Sequence, residues 1–235
     1  MTPATNPEPE LAGTTPLRVG VVAPRRRLAW VRVLHEALAE HHPAASLTAL
    51  VLDGPSEGEP FAQLTPADVI DDDAHWHRLA MLLRDDELAR ALAPSLALHL
   101  LADGGTVLLL GNDVVVRGPL DDLARLARES GTVLVPRRRS PLPDDDRRPD
   151  ASDMAKLGAY DDALVGAAGE GELPAWWGRA IAEAWLDGRE DGPLLDVAAA
   201  EFAHAVADDP AHGCARWNLD EPDRDATRAR TLRLP

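Results

Sequence analysis

Two spacings of apolar residues alternate along the chain: short continuous runs, and stripes that recur every three or four positions. Leu17 to Val22 is a compact run rich in β-branched residues and reads as a buried strand. Leu28, Val31, Leu34, Ala37 and Leu38 then share one helical face, and His42-Pro43 ends that helix. Leu47 to Leu52 predicts a second strand that closes at the turn Asp53-Gly54-Pro55, and Phe61 to Leu64 predicts a third, shorter one. Thr65-Pro66-Ala67-Asp68 has the form of a helix start, with proline at the first helical position. Helices are expected over Asp73 to Leu83 and Glu87 to Leu101, the second ended by Asp103-Gly104-Gly105. Thr106 to Leu110 follows, continuously apolar as in a central parallel strand covered on both faces.

Pro119 to Arg128 predicts a short helix whose charges suit its dipole, Asp121 and Asp122 in the first turn and Arg125 and Arg128 near the end. Strands at Gly131 to Val135 and Ala163 to Ala167, then helices at Ala175 to Leu186 and Leu194 to Ala205, complete the pattern. Strands alternating with helices imply an α/β fold, a three-layer α/β/α sandwich around a mainly parallel sheet with right-handed crossovers. Residues 1–16 hold four prolines and no apolar periodicity, so a disordered leader is expected before a single domain over 17–219. The acidic, proline-rich Pro141 to Asp150 reads as a surface loop, and residues 220–235 as a charged peripheral tail. Sheets of this kind bind ligands at the carboxyl ends of their strands, which directs attention to Ala23 to Arg27, Asp53 and Gly111 to Asp113.

Composition narrows the function classes. The formal net charge of -16 over 235 residues argues against a nucleic-acid partner, because phosphate contacts need a positive field. Arg25-Arg26-Arg27 and Arg137-Arg138-Arg139 each follow a strand-like run, so two such clusters on one sheet edge could hold a diphosphate. Cys214 is the only cysteine, which excludes an intramolecular disulfide and a cysteine-based zinc site and favours a reducing, cytoplasmic location. No run approaches the ~20 apolar residues of a membrane span, so no membrane span is expected. Gly-x-Gly-x-x-Gly after the first strand, a Walker-type Gly-Lys-Ser/Thr and a Gly-x-Ser-x-Gly elbow are all absent, which disfavours dinucleotide, P-loop and serine-triad chemistry.

Among polar clusters, His75-Trp76-His77 cannot place both imidazoles on one helical face, and His41-His42 suits a helix end as a dipole partner. The Asp71 to Asp73 and Asp144 to Asp146 runs read as solvated loop charge. The turn Gly111-Asn112-Asp113 bears two readings. Ending an apolar central strand, it would deliver side chains into the ligand crevice, where a carboxylate suits a hard divalent cation that bridges two phosphates. Equally, glycine and asparagine could serve a turn that needs positive φ, with Asp113 as an exposed end cap.

Several segments, in order, resemble a group of nucleotide-sugar glycosyltransferases of actinobacterial type. Leu28-Ala29-Trp30-Val31-Arg32-Val33-Leu34 is similar to that family's opening helix, and His41-His42-Pro43 to its end. Glu87 to Pro94 resembles the helix before the central strand, Gly111-Asn112-Asp113 falls where the family has Asp-x-Asp, and Cys214 to Leu219 resembles a late Tyr-Trp-Asn-Leu segment. The resemblance implies a GT-A fold (a nucleotide-diphospho-sugar transferase) and transfer of a hexosyl group from a nucleotide diphosphate donor to an acceptor hydroxyl, usually with Mg2+ or Mn2+.

Carried over by position, it makes Asp113 the metal or diphosphate ligand, Asn112 and Arg32 donor-binding residues, Asp196 the catalytic carboxylate and Trp217-Asn218 part of the pocket wall. The chain departs from the family at Gly111, which replaces the first carboxylate of the pair, at Ala93, at Asp161-Asp162 and at Val197. It also reaches Leu234-Pro235 near where a histidine that completes the metal shell is expected. Two expectations follow: a transferase with a relaxed or metal-independent site in which arginines stabilise the leaving diphosphate, or a catalytically degenerate GT-A-like domain that serves as a binding or partner subunit.

Overall fold

The computed structural model describes residues 16–143, 148–187 and 193–234. The leader before residue 16 and the Asp144 to Asp146 run lie outside the described residues. The chain opens with strand β1 (Leu17–Ala23), whose last five residues are all buried, and helix α1 (Leu28–His41). It continues through β2 (Ser46–Val51), β3 (Ala62–Leu64), α2 (Asp73–Leu82), α3 (Asp85–Leu101), β4 (Thr106–Leu110) and β5 (Val114–Val116). Then come α4 (Asp121–Ser130), β6 (Thr132–Pro136), α5 (Ala151–Leu157), β7 (Tyr160–Ala168), α6 (Glu172–Leu186), α7 (Leu194–Glu201), β8 (Ala205–Val206) and β9 (Thr231–Arg233).

Seven strands form one sheet in the order β3-β2-β1-β4-β7-β6-β8, and β7 alone runs against its neighbours. The expected three-layer sandwich with a mainly parallel sheet is therefore the observed one. β4 shows why: all five of its residues are buried. Leu108 and Leu110 enter the core under α1 and α4, whereas Val107 and Leu109 enter the core under α3 and α6. A strand with no solvent face cannot alternate polar and apolar positions, hence its continuous apolar run.

Helix ends follow local chemistry. Asp85, Asp86 and Glu87 occupy the first turn of α3, and the Glu87 carboxylate accepts from the Arg84 amide at 2.8 Å. Pro94 lies inside α3 and packs on α6 at Gly178, where a Cβ would come within 3.2 Å of the proline Cβ. Asp72 caps α2 by accepting from the His75 amide at 3.1 Å, so the His75-Trp76-His77 stretch is a helix start, as its spacing implied.

Four expectations change. The helix from Leu194 stops at Glu201, and β8 extends the sheet at its far edge. α5 forms from Ala151, its capping box set by Asp150 and Asp153, in a stretch with no apolar periodicity to announce it. His42 is more than a dipole partner: its Nε2 accepts from the Leu120 amide at 2.7 Å. The fourth concerns residues 220–234, which are not peripheral. Glu221, Arg224 and Thr231 are buried, and β9 pairs antiparallel with β5 in a second, two-stranded sheet. Charge alone misleads here because Glu221 accepts from the Arg139 and Ser140 amides at 2.7 and 2.8 Å and from Arg224 Nε at 3.1 Å. Buried charges persist when paired and hydrogen-bonded in this way.

Candidate functional site

A cleft of about 310 Å³ opens at the carboxyl ends of β1 and β4, near the low end of the volumes typical of ligand sites. Its inner wall is apolar, made by Gly20 and Val22 of β1, Leu109 and Leu110 of β4, and Ala89 and Ala93 of α3. The Gly111-Asn112-Asp113 turn forms one side. It is tied to both neighbouring strands, since Asn112 Nδ2 donates to Val22 O at 2.9 Å and the Gly111 amide to Ala163 O at 2.8 Å.

The charged side of the cleft is a network of arginines and aspartates. Arg233 donates through Nε and Nη2 to Asp113 Oδ2 at 3.0 and 2.7 Å, and through Nη1 to Asp161 Oδ1 at 2.8 Å. Arg137 reaches Asp161 Oδ1 at 3.3 Å and Asp162 Oδ1 at 2.8 Å. Arg90 stands 3.8 Å from Asp162 Oδ2. The Trp217 ring packs against two of these cations, with the Arg137 and Arg233 guanidinium carbons 5.7 and 5.2 Å from its centroid. Burial opposes ionisation of Asp162, but Arg137, Arg233 and Arg90 outweigh it and hold its carboxyl below the usual range. Burial likewise disfavours the Arg233 cation, yet Asp161, Asp113 and Asp162 raise its pKa further, so it carries its charge at every working pH.

The residues singled out from sequence part company here. Asp113, Asn112 and Trp217 line the cleft. Arg32 does not: it is exposed on α1 and makes a two-pronged pair with Glu59 at 2.8 and 2.7 Å. Asn218 does not line it either. Fully buried, it accepts from the Ala215 amide at 2.9 Å and donates to Arg137 O and Gly213 O at 2.7 and 2.9 Å, which locks the turn that presents Trp217. Asp196 accepts from the Ala159 amide at 2.9 Å and faces a separate small cavity with Lys156 and Tyr160. That cavity shares Arg90, Arg137, Leu157 and Asp162 with the cleft, so Asp196 lies one wall away from it.

Of the first arginine cluster, only Arg27 lines the cleft; Arg25 holds Gly54 O at 3.1 Å and Arg26 pairs with Asp85. Arg138 and Arg139 are likewise held, by Asp220 and by Ala207 O. Sequence reasoning missed Arg233 and the pairing role of Asp161. The available signals were two adjacent aspartates in an otherwise apolar strand and the alternation of Thr231-Leu232-Arg233-Leu234 inside the charged tail.

Asp113 does not fit a metal in this arrangement. Its Oδ2 already accepts two Arg233 donors, and Gly111 offers no side-chain ligand. A Cβ at Gly111 would lie 2.7 Å from Asp113 Oδ1 and 2.8 Å from Ala163 Cβ, so this glycine serves close approach, and its φ is not positive. Elsewhere, Asp122, Asp209 and His212 bring one ligand atom each within 4.8 Å of one another, a group that could hold a divalent ion among the described residues. The Arg230 guanidinium already bridges its two carboxylates at 3.2 Å each. No part of that group lines the cleft.

No protein-family model matches the chain, and no curated protein matches it. Solved structures do. One is the galactosyltransferase LgtC in complex with donor and acceptor sugar analogs, 14% identical, with 92% of this chain and 86% of that chain covered at a TM-score of 0.52. A second is an active-site mutant of LgtC, 14% identical over the same shares, with a TM-score of 0.53. The fold is that of a GT-A-type glycosyltransferase. At this identity the likeness establishes the architecture, and the chemistry of this GT-A-like domain rests on its own residues. No helix among the described residues is long and apolar enough to cross a membrane.

Proposed function

We propose that this protein is a glycosyltransferase whose cleft binds a nucleotide-sugar donor and passes the sugar to an acceptor hydroxyl. One observation carries the reading: a single cleft at the strand ends of a GT-A fold joins an apolar slot to a rim of Arg27, Arg90, Arg137 and Arg233. The slot suits a flat nucleobase, and guanidinium groups suit a diphosphate, whose oxygens match their forked donors. In transfer, the bond from the sugar to the diphosphate oxygen breaks with its electron pair left on that oxygen, the acceptor oxygen bonds the same sugar carbon, and the acceptor's proton passes to a carboxylate or to water. Arginines held in place stabilise the charge that develops there. Asp196, in the adjoining cavity, is the carboxylate on the sugar side. The low cysteine count favours a cytoplasmic setting for this chemistry.

A second reading has its own support. Asp113, Asp161 and Asp162 are each paired with arginine, so none is free to take a proton from an acceptor. On that reading the domain binds a nucleotide-sugar without turning it over and acts beside a protein partner. Calorimetric titration with UDP, GDP and TDP sugars tests the shared claim, and silence for all of them would remove both readings. Release of free nucleotide from a bound donor, lowered by Asp196→Asn at unchanged donor affinity, distinguishes the enzyme from the binder.

A further inference from the structure

Four cations, Arg27, Arg90, Arg137 and Arg233, line the cleft, and one of them occupies the carboxylate that a metal at the Gly111-Asn112-Asp113 turn would need. We infer that Arg233 is the resident cation of this site and excludes a divalent metal from it. For the nucleotide ligand, the inference rests on the reading of the cleft as a donor site; for the metal, it rests on geometry alone.

Strand pairing fixes the position of this arginine. β9 registers against β5 with Arg233 opposite Val114, and the Leu234 amide donates to Asp113 O at 2.9 Å. The side chain therefore starts beside the Gly111-Asn112-Asp113 turn and folds back onto its carboxylate. The Trp217 face covers the guanidinium on one side, and Asp161, only 1% exposed, anchors Nη1 from below. A two-pronged Arg–Asp contact braced by a second carboxylate and an aromatic face is held far more firmly than an exposed pair.

Chemistry points the same way. A divalent ion at Asp113 would meet a guanidinium within hydrogen-bond distance of its only carboxylate ligand in the turn, and position 111 has no room to supply another. A guanidinium has five N–H donors, and Arg233 spends three of them on Asp113 and Asp161. Two remain, on a side chain still 20% exposed at the cleft wall. One of them is on Nη1, which also stands 3.8 Å from Asp162 Oδ1, beyond hydrogen-bond reach of it. Those two N–H groups are suited to phosphate oxygens. Loss of Arg233 would strip Asp113 of its two hydrogen-bond donors and leave Asp161 with Arg137 alone, 3.3 Å away, so that carboxylate oxygens of the kind that Mn2+ takes as ligands face the cleft beside the turn.

The test uses Mn2+ alone, titrated into the full chain by calorimetry and followed by electron paramagnetic resonance. The wild-type protein is expected to show no Mn2+ binding that Asp113→Asn removes; any binding at Asp122, Asp209 and His212 is insensitive to that change. Arg233→Met is expected to gain a Mn2+ site at least tenfold tighter than any such wild-type binding, and Asp113→Asn in the same chain to abolish it. A wild-type Mn2+ site that Asp113→Asn removes would overturn the inference, as would a folded Arg233→Met chain that gains none.

Should Arg233→Met not fold, UDP and GDP titrations of the wild type decide. Affinity equal within twofold in EDTA and in Mn2+ supports the inference, and a tenfold rise with Mn2+ overturns it. If neither nucleotide binds, the donor reading fails, and the wild-type Mn2+ titration, alone and with Asp113→Asn, still judges Arg233.

Discussion

Arg233 and Asp113, 120 positions apart in the chain, meet through two hydrogen bonds on a single carboxylate oxygen. The pair closes β9 onto the turn after β4 and turns a presumed metal ligand into half of an ion pair. Several consequences can be measured.

Restoring the missing carboxylate should not restore a metal site. Gly111→Asp would drive its Cβ to 2.7 Å from Asp113 Oδ1 and 2.8 Å from Ala163 Cβ. The expected result is a loss of about 1–3 kcal/mol in urea unfolding with no gain in Mn2+ affinity. Tight Mn2+ binding by a stable Gly111→Asp protein would contradict the geometry.

Arg32→Ala should leave donor binding within threefold of wild type, because Arg32 stands on the exposed face of α1 with Glu59 and away from the cleft. Nucleotide titration checks this, and a tenfold loss would return Arg32 to the site.

Asn218→Ala should destabilise the fold by about 2–3 kcal/mol, since it strands the Ala215 amide and the carbonyls of Arg137 and Gly213 in a buried turn. Chemical denaturation reads the loss. Nucleotide affinity should fall far less than stability once the protein is held folded by low temperature.

Acid should weaken the protein through its paired carboxylates. Burial opposes ionisation of Glu221, but the Ser140 and Arg139 amides and Arg224 outweigh it and hold its pKa below the ordinary value; Asp162 is held low in the same sense. A folded pKa below the unfolded one gives stability that is complete above the unfolded value of about 4 and is lost as pH falls below it. Unfolding free energy should therefore drop below about pH 4, and Glu221→Gln should flatten that acid limb. An unchanged slope in the variant would show that Glu221 carries none of it.

Much of this was legible in the residues themselves. Local rules determined the strand-helix alternation and the buried run of β4, because each depends on neighbours within a few positions, whereas the Asp71 to Asp73 run, read as loop charge, supplies the cap and first residue of α2. The placement of Asn112 and Asp113 at the strand end was likewise readable from Thr106 to Leu110 and the turn that follows. Pairing across the chain was not. Whether Arg233 faces the cleft, whether Asn218 meets a ligand or a backbone turn, and whether residues 220–234 are a tail or a strand turn on contacts more than 80 positions apart in sequence, and Arg32 is held away by Glu59, 27 positions on. A charged side chain reads the same in a sequence whether it faces water or a buried partner. Only the tertiary structure chose, since it alone brings together the opposite charges that make burial tolerable.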